Sequence, residues 1–165
     1  MVWVAQGFGV GRVPVAPGTF GSVMGLGWFA ALVCTESLVF YLLGVFAGIV
    51  CSVWIGGVAE RVLGEKDPGS VVIDEIAAMP ICFLGWILKA YGAAGIMPSW
   101  RQFFGSDYWV WTLALFGAFR FFDVLKPWPI RRSQALPGGW GITVDDLLAA
   151  LYVNACFLAV VIAIG

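Results

Sequence analysis

Long apolar runs separated by short polar segments dominate this sequence of 165 residues. The runs cover residues 20–35, 38–59, 76–97, 108–122 and 145–165. About 20 apolar residues are needed for an α-helix to cross a bilayer, so the pattern predicts about five transmembrane helices, the first of them short. The intervening segments are rich in glycine, proline and charge, which predicts loops at residues 1–19, 60–75, 98–107 and 126–143.

Composition agrees with this pattern. Hydrophobic residues make up 61% of the chain and charged residues only 12%, whereas an average soluble domain is about 25% charged. We therefore expect an all-α membrane protein, a bundle of about five transmembrane helices that forms a single integral-membrane domain over residues 1–165. The net charge of −1 indicates no nucleic-acid partner.

Five crossings predict which polar segments share a side of the membrane. Residues 1–19, 60–75 and 126–143 lie on one side, and the turns at 34–37 and 98–107 lie on the other. Seven of the nine basic residues fall on the first side, which the positive-inside rule makes cytoplasmic: Arg12, Arg61, Lys66, Arg120, Lys126, Arg131 and Arg132. The same side collects five carboxylates: Asp74, Glu75, Asp123, Asp145 and Asp146.

The carboxylates invite two interpretations. Single acids at helix starts are explained by capping and the helix dipole, and Asp123 is spaced to pair with Arg120 or Lys126. Two adjacent acid pairs together with Asp123 exceed that need. Oxygen ligands in a chain without histidine suit Mg²⁺. The predicted metal ligands are Asp74, Glu75, Asp145 and Asp146. The four cysteines form no CxxC pair and are interpreted as buried packing residues.

Basic and glycine-rich segments on this side indicate an anionic substrate. Arg12, Arg120, Lys126 and Arg131 are candidates to neutralise phosphate charge. Gly18 and Thr19 lead into the first predicted helix, where Thr19 is expected to act as the N-cap and free backbone N–H groups can receive a phosphate oxygen. Taken alone, the same two residues are better explained by ordinary turn chemistry.

Four stretches together carry a family resemblance: GFGVGRVPVAPGTFGS (7–22), GSVVIDE (69–75), FRFFDVLKPWPI (119–130) and GGWGITVDD (138–146). In this order and spacing they resemble the phosphatidylglycerophosphatase A family. The resemblance implies a multi-pass enzyme of the bacterial inner membrane with its active site on the cytoplasmic side. Such an enzyme uses Mg²⁺ to remove the terminal phosphate of phosphatidylglycerophosphate, a phospholipid substrate in the bilayer, and gives phosphatidylglycerol.

The usual covalent routes of phosphate hydrolysis lack the residues that they need in this chain. The chain has no Cys-x5-Arg loop, no DxDxT-like pair and no histidine, so we expect attack by metal-activated water. The predicted catalytic residues are Asp123, Glu75, Arg120 and Lys126, with Glu75 or Asp123 as the base or as a further metal ligand. An aspartyl-phosphate on Asp123 or Asp145 stays open. The competing functions are another membrane lipid phosphatase or phosphotransferase, a cation transporter and a non-catalytic assembly factor.

Overall fold

The computed structural model describes residues 1–164, and within them the chain is helical without strands. Its elements run in chain order as α1 (Val2–Ala5), a 3-10 segment (Gly7–Arg12), α2 (Pro17–Val33), α3 (Leu38–Leu63), α4 (Ile73–Cys82), α5 (Leu84–Ala94), α6 (Arg101–Phe104), α7 (Trp109–Leu125), α8 (Ile130–Ser133) and α9 (Gly139–Ile164). The all-α prediction is therefore confirmed for these residues.

Three stretches are long and apolar enough to cross a bilayer: Leu38–Leu63, Ile73–Ala94 and Gly139–Ala163. Helices α2 and α7 have 17 residues each, which gives about 25 Å of helix against a hydrocarbon core of about 30 Å. Each of the five predicted apolar runs is thus helical. Only three of the helical stretches in the described residues are long enough to cross the bilayer fully, so the predicted number of five crossings is not established.

Local sequence explains where several helices begin and end. The hydroxyl of Ser37 accepts a hydrogen bond from the Phe40 N–H and caps α3. Helix α3 ends at Leu63 and is followed by Gly64, which has a φ of 68°, and such a left-handed residue closes many helices. Helix α7 ends at Lys126, which is also left-handed and precedes Pro127, a residue that cannot continue the hydrogen-bond ladder.

Helix α4 occupies the centre of the bundle, in contact with α2, α3, α7 and α9. Its residues from Ala77 to Cys82 are all buried, and Pro80 lies inside it. The predicted third span breaks at Phe83, where α5 begins. The polar groups near this break find partners, because the Tyr41 hydroxyl donates to the Pro80 carbonyl and the Asn154 amide donates to the Ile81 carbonyl. The central helix is therefore fixed by its neighbours along its length.

Two predictions need correction. Helix α9 begins at Gly139 and not at Asp145, because the glycine-rich stretch is helical here and not a loop. Asp145 and Asp146 therefore lie well inside the helix, where capping cannot explain them. All four cysteines are free, but only Cys82 is buried; Cys34, Cys51 and Cys156 are exposed on the protein surface.

Candidate active site

Three buried carboxylates converge where the start of α4 meets α9. Asp74 and Glu75 lie in the first turn of α4, and Asp146 reaches them from α9. One oxygen from each of the three side chains lies within 4.8 Å of the others. We call these three residues the acid cluster. It brings together three of the four predicted metal ligands.

The acid cluster contains carboxylate oxygens without partners. Asp74 Oδ1, Glu75 Oε2 and Asp146 Oδ2 are buried and accept no hydrogen bond from the protein. Buried carboxylates are costly unless a cation or hydrogen bonds compensate them. Grouped oxygen ligands without nitrogen or sulphur match the preferences of Mg²⁺. The donor set therefore fits a hard divalent cation.

A second group of charges lies beside the acid cluster and is paired within itself. Asp123 Oδ2 is 2.6 Å from Arg120 Nη1, and Asp123 Oδ1 accepts a hydrogen bond of 3.1 Å from Lys126 Nζ. Lys126 Nζ also donates to Asp145 Oδ2 at 2.5 Å. We call Arg120, Asp123, Lys126 and Asp145 the ion-pair row. Burial lowers the pKa of Lys126, but Asp145 and Asp123 outweigh it and raise this pKa above its ordinary value, so the ammonium stays charged at neutral pH.

Arg120 connects the two groups. Its Nη1 lies 3.7 Å from Glu75 Oε1 and donates to Ser22 Oγ at 3.3 Å. The first turn of α2 packs directly over this contact, because a Cβ on Gly18 would overlap Glu75 Oε1 and approach the Arg120 guanidinium to 3.1 Å. A side chain at position 18 would therefore have to displace the ends of Glu75 and Arg120, because α2 approaches the site this closely.

The adjacent acids of α9 have different surroundings. Both oxygens of Asp145 are used, since Oδ1 accepts from the Asp146 N–H and Oδ2 accepts from Lys126 and from Gln134 Nε2. Asp146 instead carries an unpartnered oxygen in the acid cluster. The structure thus places Asp145 outside that cluster, and its role as a metal ligand stays a prediction.

The predicted phosphate-binding residues are not all brought together. Gly18 lies at the site, and Thr19 lies in the first turn of α2. The prediction that Thr19 caps α2 is wrong, because the helix begins at Pro17 with Ala16 at the N-cap. Arg12 and Arg131 are exposed and form no ion pair with a carboxylate of residues 1–164. Any role for them in binding phosphate stays a prediction.

Two polar residues at the site were missed by the sequence reasoning. Gln134 Nε2 donates to Asp67 Oδ2 at 3.1 Å and to Asp145 Oδ2 at 3.2 Å, and so joins the loop before α4 to the ion-pair row. Burial raises the pKa of Asp67 above its ordinary value, although Lys126 and Gln134 oppose the rise. Asp67 lies in the predicted polar loop at residues 60–75, on the same side of the membrane as the other acids, and this position could have indicated a place in the site. Nothing in the sequence distinguishes Gln134 from an ordinary loop residue.

Comparison with known proteins identifies the family. A profile of the family described as Phosphatidylglycerophosphatase A matches residues 3–161. The chain belongs to this family. It is 35% identical over 150 residues to the phosphatidylglycerophosphatase A of Haemophilus influenzae, covering 90% of this chain and 81% of that protein. The corresponding Escherichia coli protein is 33% identical over 150 residues, with 90% and 76% covered.

A third relative carries a different name. A Bacteroides thetaiotaomicron protein provisionally named a phosphatidylinositol-3-phosphatase is 34% identical over 161 residues, with 92% of this chain and 87% of that protein covered. No solved structure matches the chain. Membership of the phosphatidylglycerophosphatase A family makes this protein an enzyme of the phosphatase class. The transporter and assembly-factor alternatives are not supported by any of these relatives.

Proposed function

We propose that this protein is a Mg²⁺-dependent membrane phosphatase that hydrolyses phosphatidylglycerophosphate to phosphatidylglycerol and phosphate. One observation carries the proposal: three buried carboxylates with unpartnered oxygens lie beside a row that contains two cations. A divalent cation would neutralise the first group, and a phosphate monoester is the kind of substrate that such a cation and such a row would hold together. We infer the headgroup of the substrate from the names of the two phosphatidylglycerophosphatase A relatives.

Asp74, Glu75 and Asp146 would hold the Mg²⁺. When bound, Mg²⁺ supplies charge neutralisation at the phosphate and favours ionisation of water at neutral pH. Arg120 lies between Glu75 and Asp123, where its guanidinium can bind phosphate oxygens while it remains paired on one side. Lys126 adds a second positive charge to the same row.

Glu75 is the better candidate for the base. Both oxygens of Asp123 are already paired with cations, so neither is free to receive a proton from water. Glu75 has two oxygens for the two roles: one would face the cation and the other would receive the proton, and Oε2 accepts no hydrogen bond from the protein. In the proposed reaction a water oxygen forms the new bond to phosphorus and its proton passes to Glu75. The bond between phosphorus and the glycerol oxygen breaks, and that oxygen leaves with the electron pair and takes a proton from solvent at the membrane surface.

The lipid substrate explains why this site lies at the ends of apolar helices. Three helices are long enough to cross a bilayer, and the site is built from the first turn of α4, the end of α7 and the second turn of α9. We propose that the acyl chains stay in the bilayer while the phosphate reaches the site at headgroup level. The excess of basic residues among the polar segments on this side supports a cytoplasmic orientation in a bacterial inner membrane.

Phosphate release from purified protein in detergent tests the proposal. We expect turnover of phosphatidylglycerophosphate that is abolished by excess EDTA and restored by Mg²⁺. Phosphatidylinositol-3-phosphate is the informative second substrate, because one relative is named for it. Preference for the inositol lipid would reassign the headgroup but keep the chemistry. Full turnover in excess EDTA would contradict the metal-dependent mechanism.

A further inference from the structure

A buried glutamine orients an exposed arginine on the N-terminal segment. Gln6 Oε1 accepts a hydrogen bond of 2.8 Å from Arg12 Nε, and Gln6 Nε2 donates to Ser70 Oγ at 3.0 Å. The Gln6 side chain is buried, whereas Arg12 is exposed. Because only Nε of Arg12 is used, its two terminal nitrogens have no partner among residues 1–164. The guanidinium thus has a fixed direction and an open edge that matches two phosphate oxygens.

The segment that carries this arginine is held firmly to the loop before α4. The Val72 N–H donates to the Ala5 carbonyl, and the Gly11 N–H donates to the Gln6 carbonyl, each at 2.9 Å. Gly11 lies so close to the Ser70 carbonyl that a Cβ there would overlap it. The position of Arg12 is therefore defined by packing and hydrogen bonds, although its side chain faces solvent.

Two exposed aromatic rings lie on the same segment. Trp3 and Phe8 are 56% and 59% exposed, and their rings meet edge to face with centroids 5.1 Å apart. Phe8 has a φ of 57°, which is a left-handed conformation that is unfavourable for a residue with a Cβ. The backbone therefore adopts a strained geometry that points a large apolar ring away from the protein. Exposed tryptophan and phenylalanine on a segment that also carries a cation are typical of a surface that meets the lipid headgroup region.

We propose that Arg12, oriented by Gln6 on the segment that also exposes Trp3 and Phe8, binds the phosphate of an anionic phospholipid of the surrounding leaflet. This lipid is separate from the molecule that is hydrolysed. The cations of the ion-pair row already face Asp123 and Asp145, whereas no carboxylate of residues 1–164 lies within ion-pair distance of Arg12. The proposal rests on placement in a membrane and does not depend on the reaction.

Lipid-dependent thermal stability tests the site without measuring turnover. The melting temperature of the purified protein in neutral detergent is compared after addition of phosphatidylserine, phosphatidylcholine or inorganic phosphate. Phosphatidylserine is anionic but is not the proposed product. We expect the anionic lipid to raise it by several degrees more than phosphatidylcholine does, since a ligand that binds only the folded state stabilises it. Arg12→Gln should remove most of this difference. Arg61→Gln, at an exposed arginine at the end of α3, should retain it.

Gln6→Glu separates orientation from charge. A glutamate can accept hydrogen bonds from both Arg12 and the Ser70 hydroxyl, so the fold is retained, but it neutralises the arginine. We expect Gln6→Glu to lose the anionic-lipid effect, while Gln102→Glu on α6 keeps it. Phe8→Gly relieves the left-handed strain and should raise the melting temperature without lipid, yet reduce the lipid-dependent rise.

Three results would overturn the proposal. The first is equal stabilisation of the wild type by the anionic and the zwitterionic lipid. The second is an equal lipid effect in the Arg12→Gln and Arg61→Gln proteins. The third is stabilisation by inorganic phosphate equal to that by the anionic lipid, which would make this a site for simple anions. The turnover assay is run on the same wild-type preparation. Normal turnover without a lipid effect would count against this proposal and leave the proposed function standing. A lipid effect without turnover would count against the proposed function and leave this proposal standing.

Discussion

The acid cluster and the ion-pair row are neighbours built from the same kinds of side chain, but they are balanced in opposite ways. In the row, Asp123 and Asp145 are matched by Arg120 and Lys126 within hydrogen-bond distance. In the cluster, Asp74, Glu75 and Asp146 each retain a buried oxygen with no partner. The carboxylates of the row are thus paired without a ligand, while those of the cluster keep unpartnered oxygens that our proposal assigns to a divalent cation. The number of acidic residues does not distinguish the row from the cluster, whereas the presence or absence of a cationic partner for each carboxylate does.

The largest effect is expected from Asp146→Asn. Outer-shell changes around metal sites cost about 10–100-fold in activity, so loss of a direct carboxylate should lower turnover by more than about 100-fold. The same change removes one of three mutually repelling charges. In excess EDTA the melting temperature of this variant should therefore exceed that of the wild type. Asp107→Asn, at an exposed aspartate, is the matched control and should change neither quantity.

Asp123→Asn should affect stability in the opposite direction. The amide leaves Arg120 and Lys126 without their shared counter-charge, and removal of a charged partner from a partly buried hydrogen bond costs about 1–3 kcal/mol. We expect a lower melting temperature and a turnover reduced about 10–100-fold. If Asp146→Asn and Asp123→Asn shifted stability in the same direction, the distinction between the two groups would be lost.

Gln134→Leu tests the link between the row and the loop before α4. The leucine cannot donate to Asp67 and Asp145, so two carboxylates lose a shared donor and repel each other. An effect of about 10-fold on turnover is expected, at the lower end for a residue that orients a site. Gln102→Leu, at an exposed position of α6, should have normal turnover. Identical turnover rates of Gln134→Leu and Gln102→Leu would show that Gln134 does not contribute to the site.

Gly18→Ala should give the smallest effect. The added Cβ meets Glu75 Oε1 and the Arg120 guanidinium, but these are side-chain ends that can shift, so a loss below about 10-fold is expected. Gly27→Ala is the control within the same helix, because a Cβ there has nothing within 4 Å. Kinetics of the two purified variants make the comparison, and equal turnover would show that α2 does not constrain the site.

Much of this arrangement could be predicted from the sequence. The apolar runs locate the major helices, and the alternation of sides brings the segments that carry Asp74, Asp123 and Asp146 together. The different roles of Asp145 and Asp146 could not be predicted. Successive residues of an α-helix point about 100° apart, so neighbouring acids face different partners, and which one faces the cluster depends on the rotation of α9 in the bundle.

The start of α9 and the break at Phe83 escaped prediction for a related reason. A glycine-rich stretch is typical of a loop, yet Gly139 and the residues after it are helical and pack against α3. Proline inside an apolar run indicates a kink without giving its place. Tertiary contacts with Tyr41 and Asn154 decide how the groups near the α4–α5 break are satisfied, and a single sequence does not contain that information.

Direct measurement of divalent-cation binding tests the central claim most sharply. Wild type, Asp146→Asn and Asp145→Asn are purified without metal in the same detergent and titrated with Mg²⁺ by calorimetry. The structure predicts Mg²⁺ binding by the wild type, loss of binding in Asp146→Asn and retention of binding in Asp145→Asn. Asp145 is expected to be dispensable because its Oδ2 already accepts hydrogen bonds from Lys126 and Gln134. Retained binding in Asp146→Asn together with loss in Asp145→Asn would contradict the assignment of the cation to the acid cluster.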